Sequence, residues 1–449
     1  MNFENIRLGL AILSESYVKE EDLKQINNSF SDLFSSLNLK LFRYSEVINC
    51  REESKKTGKF FKENGVDAIL IYLATYSQDN LAIDIVYSSN CEIVLWGKEE
   101  LLNYPVPDIA AYCGMTQIGG LLQKFDKKLV LIDGKISDLS NQEKLKKFLK
   151  VISIKKMLAD SNLGLIGSRS DGMLENAFNE LELRKQVGPE VINISLLSFF
   201  NDFNQIKESS INKAADYLFK GKDISRINKE TISGSVRIYL ALKEIISKYG
   251  ISALAIRCWP ELKENNICSP CFALSKLYDE GIATACEADV NALVTMLIGE
   301  RLSSDASFLS DLLKIDDINN YAYYYHCGCA STKLCNNLLD IKYSEHPFDA
   351  VWKPGVIVEF PLKEGPVTFA RMGERNGKFQ IVAYTGRAVK TDMFVAGNVL
   401  LAVLDKKPSY VVEKLVEYGT EHHQITFYGN HLNELRKLTD FLGINYYEI

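Results

Sequence analysis

"GIATACEADVNALVTMLIGERLSSDASFLSD", residues 281–311, contains two short apolar runs, each closed by a carboxylate, with a helix-like segment between them. Gly281 opens the first run, which ends beside Glu287, and the second ends on Asp311. The intervening apolar residues recur at helical spacing. The pattern predicts a strand, helix, strand unit, a right-handed crossover joining neighbouring parallel strands. Glu287 and Asp311 then stand at the carboxyl ends of strands about 4.8 Å apart, the edge where open α/β sheets bind ligands. Two carboxylates brought together repel, and one would have its pKa raised; a divalent cation shared between them removes that penalty.

Outward from this stretch, the first third of the chain alternates strand-like runs ("IRLGLAIL", "VDAILIYLA", "CEIVLWG", "KLVLIDG") with segments of helical periodicity. That alternation predicts a parallel sheet wrapped by helices. A charged helix-like stretch, "NQEKLKKFLKVISIKKMLADS", precedes a new strand at "LGLIGSRSDGM", which puts a boundary near residue 160. Gly164 and Gly167 form neither a dinucleotide fingerprint nor a P-loop, so the turn reads as a plain strand-to-helix connection. The α/β rhythm then repeats through "EVINISLL", "ALAIRC" and "IATAC". After about residue 345 the texture changes to short strands split by Gly, Pro, Asn and Lys, which suggests a small barrel or sandwich, followed by one amphipathic helix and a last strand.

With 449 residues, two or three domains are expected. The formal charge of −6 argues against a nucleic-acid or anionic-membrane surface, and no apolar run is long enough to span a bilayer. The amino-terminal run reads as a first strand, not a signal peptide. Ten thinly spread cysteines suit reduced thiols in a cytoplasm, and "CSPC" (Cys268 to Cys271) lacks a second pair and reads as structural.

The chain has five histidines, His326, His346, His422, His423 and His431. His326 ends "YAYYYH", a possible neighbouring strand. His422 and His423 are adjacent; on a strand they would face opposite ways, so that one reaches the site while the other packs, and a solvated turn is the alternative. Oxygen-rich ligation with one imidazole suits Mn²⁺ or Mg²⁺. In "RCWPEL", Trp259 either stacks on a ligand or seals the core. Arg257, two residues earlier, is expected to share its side of the strand.

These residues resemble the L-fucose isomerase and L-arabinose isomerase group of metal-dependent aldose–ketose isomerases. The likeness runs from "LATYSQDNLA" through "IRCWPEL" and the 281–311 block to "GTEHHQITFYGNHLNEL", nearly the whole chain. The corresponding block of the fucose isomerases carries an acid, a helix with M-L and a glycine, and a second acid; Met296, Leu297 and Gly299 keep that register here, and Asp311 follows Glu287 by 24 residues. The resemblance implies two Rossmann-like parallel-sheet α/β domains (1–160 and 161–345) followed by a C-terminal β-barrel domain (346–449). It implies Glu287 and Asp311 as metal ligands and proton-transferring pair, and His423 as third ligand to Mn²⁺, or another divalent cation such as Mg²⁺ or Co²⁺. In the family an Asn precedes that histidine; His422 holds its place here and is expected to contact substrate, as is His326, which does not align with a metal ligand of that family.

It also implies a homo-oligomer, trimer or hexamer; the cysteines and the charge point to a cytoplasmic protein with no nucleic-acid or membrane partner. Tyr76 of "TYSQDN" is the candidate visitor to a neighbour's site. Where the fucose isomerases have a glutamine-rich segment before the tryptophan, this chain has "LAIRC", so its contacts to sugar hydroxyls differ. Arg257 either binds an anionic substituent, such as the sulfonate of sulfoquinovose, or forms a structural ion pair. The chemistry is proton movement between C1 and C2 of a free monosaccharide through an ene-diol(ate), with the cation polarising the carbonyl and the carboxylates moving protons. A non-catalytic sugar-binding protein of the same fold is the alternative.

Overall fold

The computed structural model describes all residues except 1–2, 16–17, 88, 90, 101, 104–105, 108 and 350–352. The chain divides into two compact units, Met1–Lys156 and Met157–Ile449. In the first unit, strands β1 (Arg7–Leu13), β2 (Lys40–Phe42), β3 (Ala68–Leu73), β4 (Glu92–Gly97) and β5 (Leu129–Asp133) form a parallel sheet in the order β2-β1-β3-β4-β5. Every residue of β3 is buried. A central parallel strand is covered on both faces, which is why it reads as a continuous apolar run and does not alternate.

The second unit opens with another parallel sheet, made of β6 (Asn162–Ile166), β7 (Glu190–Ile194), β8 (Ala253–Ile256) and β9 (Ala283–Ala285) in the order β9-β8-β6-β7. The chain leaves β6 for β7 on one side and returns for β8 on the other, so the order reverses between β6 and β8. Loops at the carboxyl ends of such a pair diverge and leave a crevice.

The remaining strands are β10 (Phe308–Asp316), β11 (Tyr321–His326), β12 (Lys342–Glu345), β13 (Val356–Pro361), β14 (Gly365–Arg375), β15 (Lys378–Val389), β16 (Asn398–Leu404), β17 (Gln424–Tyr428) and β18 (Asn445–Glu448). Six of them close into a barrel, β16-β11-β10-β17-β14-β15, because β15 also pairs with β16. The fold is therefore parallel α/β sheets with a C-terminal barrel. Among the described residues no helix is long and apolar enough to cross a membrane.

One expectation is corrected. Asp311 does not lie on a parallel neighbour of Glu287's strand; it lies on β10, an antiparallel barrel strand paired with β11 and β17. The connecting helix, Val290–Ser303, is no surface crossover. Residues 290–299 are all buried, and the helix packs against β8 and β9 on the sheet and against β14 and β17 on the barrel. A helix without a polar face has to be enclosed on all sides, and here it is the layer joining sheet to barrel. Close packing sets its one glycine: a Cβ on Gly299 would come within 2.5 Å of Ser307 Oγ and 2.6 Å of the Phe427 ring.

Candidate active site

Strand register brings three of the candidate side chains together. On β10, Asp311 lies opposite Tyr325 of β11, and the preceding residue, Ser310, lies opposite Gln424 of β17. His326 ends β11 and His423 precedes β17, so both meet Asp311 within the middle strand, β10, where its pairing passes from β17 to β11. Glu287 arrives from the sheet, two residues beyond β9. Its backbone and that of Ala288 are left-handed, with φ of 58° and 57°. Such conformations cost non-glycine residues about 1–3 kcal/mol each and persist where the surroundings enforce them. Here the turn aims Glu287 at His423 and delivers Asp289 as the N-cap of helix Val290–Ser303, accepting from the Ala292 N–H at 2.8 Å.

His423 Nε2 lies 3.4 Å from Glu287 Oε2 and 3.9 Å from Asp311 Oδ1. His422 Nε2 lies 3.5 Å and 3.8 Å from the same two atoms. Glu287, His422 and His423 form one group able to hold a metal ion; Asp311, His326 and His423 form another; in each the donor atoms are within 4.8 Å of one another. His423 belongs to both groups. Among the described residues, its Nε2 and the Glu287 Oε2 are buried and have no hydrogen-bond partner. Orphaned buried acceptors are costly, and a cation between them satisfies both at once. The donors are carboxylate oxygens and imidazole nitrogens, a set that fits a divalent cation of the Mn²⁺ or Mg²⁺ kind.

Behind this cluster is a buried charge network. His423 Nδ1–H donates to Asp289 Oδ2 at 2.7 Å, and a carboxylate that only accepts leaves the Nε2 lone pair facing the site. Arg371, fully buried, pairs with Asp289 at 2.9 Å and with Glu421 at 3.1 Å. Burial alone would raise the Asp289 carboxyl, but Arg371 and His423 hold it well below the usual carboxylate range. Burial opposes ionisation of Glu287 too, and the imidazoles of His422, His423 and His326 outweigh it and lower its pKa. For His422 burial is outweighed by Glu287, Asp311 and Glu175, which push it up to about 9. Burial pushes His326 down to about 4, with Asp311 and Glu287 opposing.

The adjacent histidines precede β17 instead of lying on it, so strand alternation does not separate them. Both rings turn to the acids, with centroids 4.0 Å apart. His422 also bonds Glu175, Nδ1 to Oε1 at 2.8 Å. Arg257 and Trp259 likewise lie past the end of β8, where alternation no longer holds. Arg257 is in the crevice between β6 and β8, ion-paired with Glu261, with Nη1 3.3 Å from Ser168 Oγ and 3.2 Å from the Arg169 carbonyl. The half-buried Trp259 offers its carbonyl to Ser170 Oγ at 3.2 Å. Tyr76, in the first unit, donates to Gln117 at 2.8 Å. Asp289, Arg371, Glu421 and Glu175 escaped the sequence reading. An N-cap aspartate two residues from an acid, and an arginine inside the apolar run "VTFARM", were the available signals.

No family model matches the chain. It is similar to the sulfoquinovose isomerase of Priestia megaterium, 23% identical over 397 residues, 88% of each chain. The sulfoquinovose isomerase of Alkalicoccus urumqiensis is 24% identical over 392 residues, 85% of this chain and 86% of that one. That of Clostridium sp. (strain MSTE9) is 24% identical over 389 residues, 84% and 85%. The chain is thus a sugar isomerase. It is of the kind that interconverts aldose and ketose, although none of these relatives is a fucose isomerase.

Proposed function

We propose that the chain is a Mn²⁺-dependent aldose–ketose isomerase whose sugar carries an anionic substituent, a sulfosugar of the sulfoquinovose kind. The observation that carries the reading is the convergence of Glu287, Asp311 and His423 around two buried acceptor atoms that have no hydrogen-bond partner among the described residues. Those three side chains would hold the cation, which when bound supplies Lewis acidity at the sugar's C1 and C2 oxygens. The Glu287 and Asp311 carboxylates are the bases: one takes the carbon-bound proton between C1 and C2, and the other moves the proton between the two oxygens. His423, locked by Asp289, keeps one nitrogen aimed at the site. His422 stands beside both acids with Glu175 behind it, in position to donate to a sugar hydroxyl. Helix Val290–Ser303 and the barrel end exclude water from Glu287, which is far less exposed than Asp311 and His422 at the mouth.

Two observations support an anionic sugar. The relatives act on sulfoquinovose by name. In this chain Arg257 lies in the β6/β8 crevice at the same sheet edge as Glu287, beside the Arg169 backbone. Arg257 would exchange part of its contact with Glu261 for a sulfonate, a charge-assisted bond of the bidentate type. Trp259 would flank the ring. We further propose a cytosolic homo-oligomer in which Tyr76 of a neighbouring subunit completes the site.

The test is NMR in D₂O with Mn²⁺-loaded protein, sulfoquinovose, and a panel of neutral aldoses. Ketose formation and solvent deuterium at C2 are expected, with the sulfosugar preferred. Exchange with neutral aldoses only would overturn the anionic reading and leave the isomerase. No exchange with any sugar would overturn both.

A further inference from the structure

A second cavity in the Met157–Ile449 unit, of about 720 Å³, is walled by cations from three elements. Lys222 and Arg226 come from the turns after helix Glu208–Leu218, Lys276 from helix Cys271–Asp279, and Lys342 from the start of β12, next to Tyr343. The one carboxylate among the described lining residues, Asp223, accepts from Ser225, whose backbone N–H and hydroxyl donate to it at 3.1 and 2.8 Å. Lys276 is buried against Asp279, and that carboxylate also takes the Ser331 hydroxyl and the Thr332 N–H, at 2.9 and 2.7 Å. Lys222, Arg226 and Lys342 form no salt bridge among the described residues.

The position of Lys222 is the informative one. Its half-buried ammonium lies 4.7 Å over the Tyr343 ring. Burial, with the Lys276 charge adding to it and Asp279 only partly offsetting it, pushes the group down to about 8. A cation held out of water and facing another cation is stabilised only when an anion joins them. Lys342 comes from a different element than Lys222 and Arg226, so the fold brings the two groups of charge to one cavity.

We propose that this cavity binds a phosphorylated metabolite, a phosphate ester of sugar size, through Lys222, Arg226 and Lys342. The excess of positive charge around the cavity calls for a ligand with more than one negative charge, and the volume leaves room for an organic body beside the phosphate. The site lies outside the acid–imidazole cluster and goes beyond the isomerase reading: binding here is measured as heat, whether or not a sugar is turned over.

The Mn²⁺-loaded protein is titrated calorimetrically with inorganic phosphate and separately with glycerol 2-phosphate, with sodium chloride at matched ionic strength as control. Saturable binding of the ester, tighter than of inorganic phosphate, is expected. Lys222→Ser and Arg226→Ser should each weaken it by about tenfold, the loss of one charge-assisted hydrogen bond, with thermal midpoint and isomerase activity in chloride unchanged. Equal affinity for the two probes would reduce the site to one for inorganic phosphate and overturn the ester. No saturable heat with either, or variants that bind as the parent does, would overturn the proposal entirely. So would a change of oligomeric state in Lys222→Ser with no binding of either probe, because the cations would then be meeting carboxylates of a second copy.

Discussion

Asp289→Asn separates what the buried network does for the fold from what it does for the site. The carboxylate makes three kinds of contact: it caps helix Val290–Ser303 at the Ala292 N–H, it pairs with Arg371, and it accepts from His423 Nδ1. Asparagine is itself a good N-cap, so the first contact survives. Arg371 keeps Glu421 but loses one of two anions, and breaking a buried pair typically costs about 3–5 kcal/mol; the surviving Glu421 contact places this case at or below the lower figure. The third loss is functional. If the new amide donates to Nδ1, the imidazole proton moves to Nε2, where it faces Glu287 and blocks ligation. Loss of the partner that orients a metal-binding histidine typically lowers affinity by about 10–100-fold. The assay is Mn²⁺ binding by calorimetry on protein whose circular dichroism shows it folded, with the thermal midpoint recorded alongside. Excess Mn²⁺ should restore occupancy without restoring the midpoint. Parent-like Mn²⁺ affinity in folded Asp289→Asn would refute the claim that His423 ligates through an Nε2 fixed by Asp289.

Three further outcomes follow from packing and charge. Burial pushes the Glu300 carboxyl up to about 7, with its bond to Tyr278 pulling the other way. A carboxyl raised in the folded state binds more protons folded than unfolded between its ordinary 4.5 and 7, so stability falls as pH rises through that window. The span corresponds to at most about 3 kcal/mol, and Glu300→Gln should raise the denaturation midpoint at pH 8 with little change near pH 4.5; equal shifts at both would contradict it. Gly299→Ala forces a methyl against Ser307 and Phe427 and should destabilise by about 1–3 kcal/mol, seen as a lower thermal midpoint and, because Phe427 lies on β17 a few residues from His423, weaker Mn²⁺ binding. Glu175→Ala removes the partner of His422 Nδ1 at the surface; kcat/KM should drop by about two- to tenfold, the worth of one exposed hydrogen bond, with the midpoint unmoved.

The parallel halves were legible because apolar runs such as "AILIYL", fully buried as β3, stand between turn residues. The acid pair was legible for a related reason: a charge that closes an apolar run is expensive unless something compensates it. Which sheet Asp311 joins was not legible. A run as short as "ASFLS" fits a parallel or an antiparallel strand equally well, and the partner that decides, Gln424, is 114 residues away from Ser310. Yet "VNALVTMLIG" carried a warning, because a helix with no polar face cannot cover the outside of a sheet.

The same helix explains why the site needs both layers. Its N-cap, Asp289, is bonded to His423 just before β17, and nine residues into the helix Gly299 packs against Phe427 on β17 itself. One helix, rooted beside Glu287, therefore grips the barrel strand next to the histidine at two points. The separation of Glu287 from His423 is set by that double grip together with the left-handed turn at Glu287 and Ala288. The Arg371 contact works across an interval of 82 residues in the same way. In sequence it is only an arginine on a strand, where alternation would allow it to face water; its meaning lies in the anion it meets. Charge complementarity between distant elements has no period, and so it is the part of the site that pattern reading cannot reach.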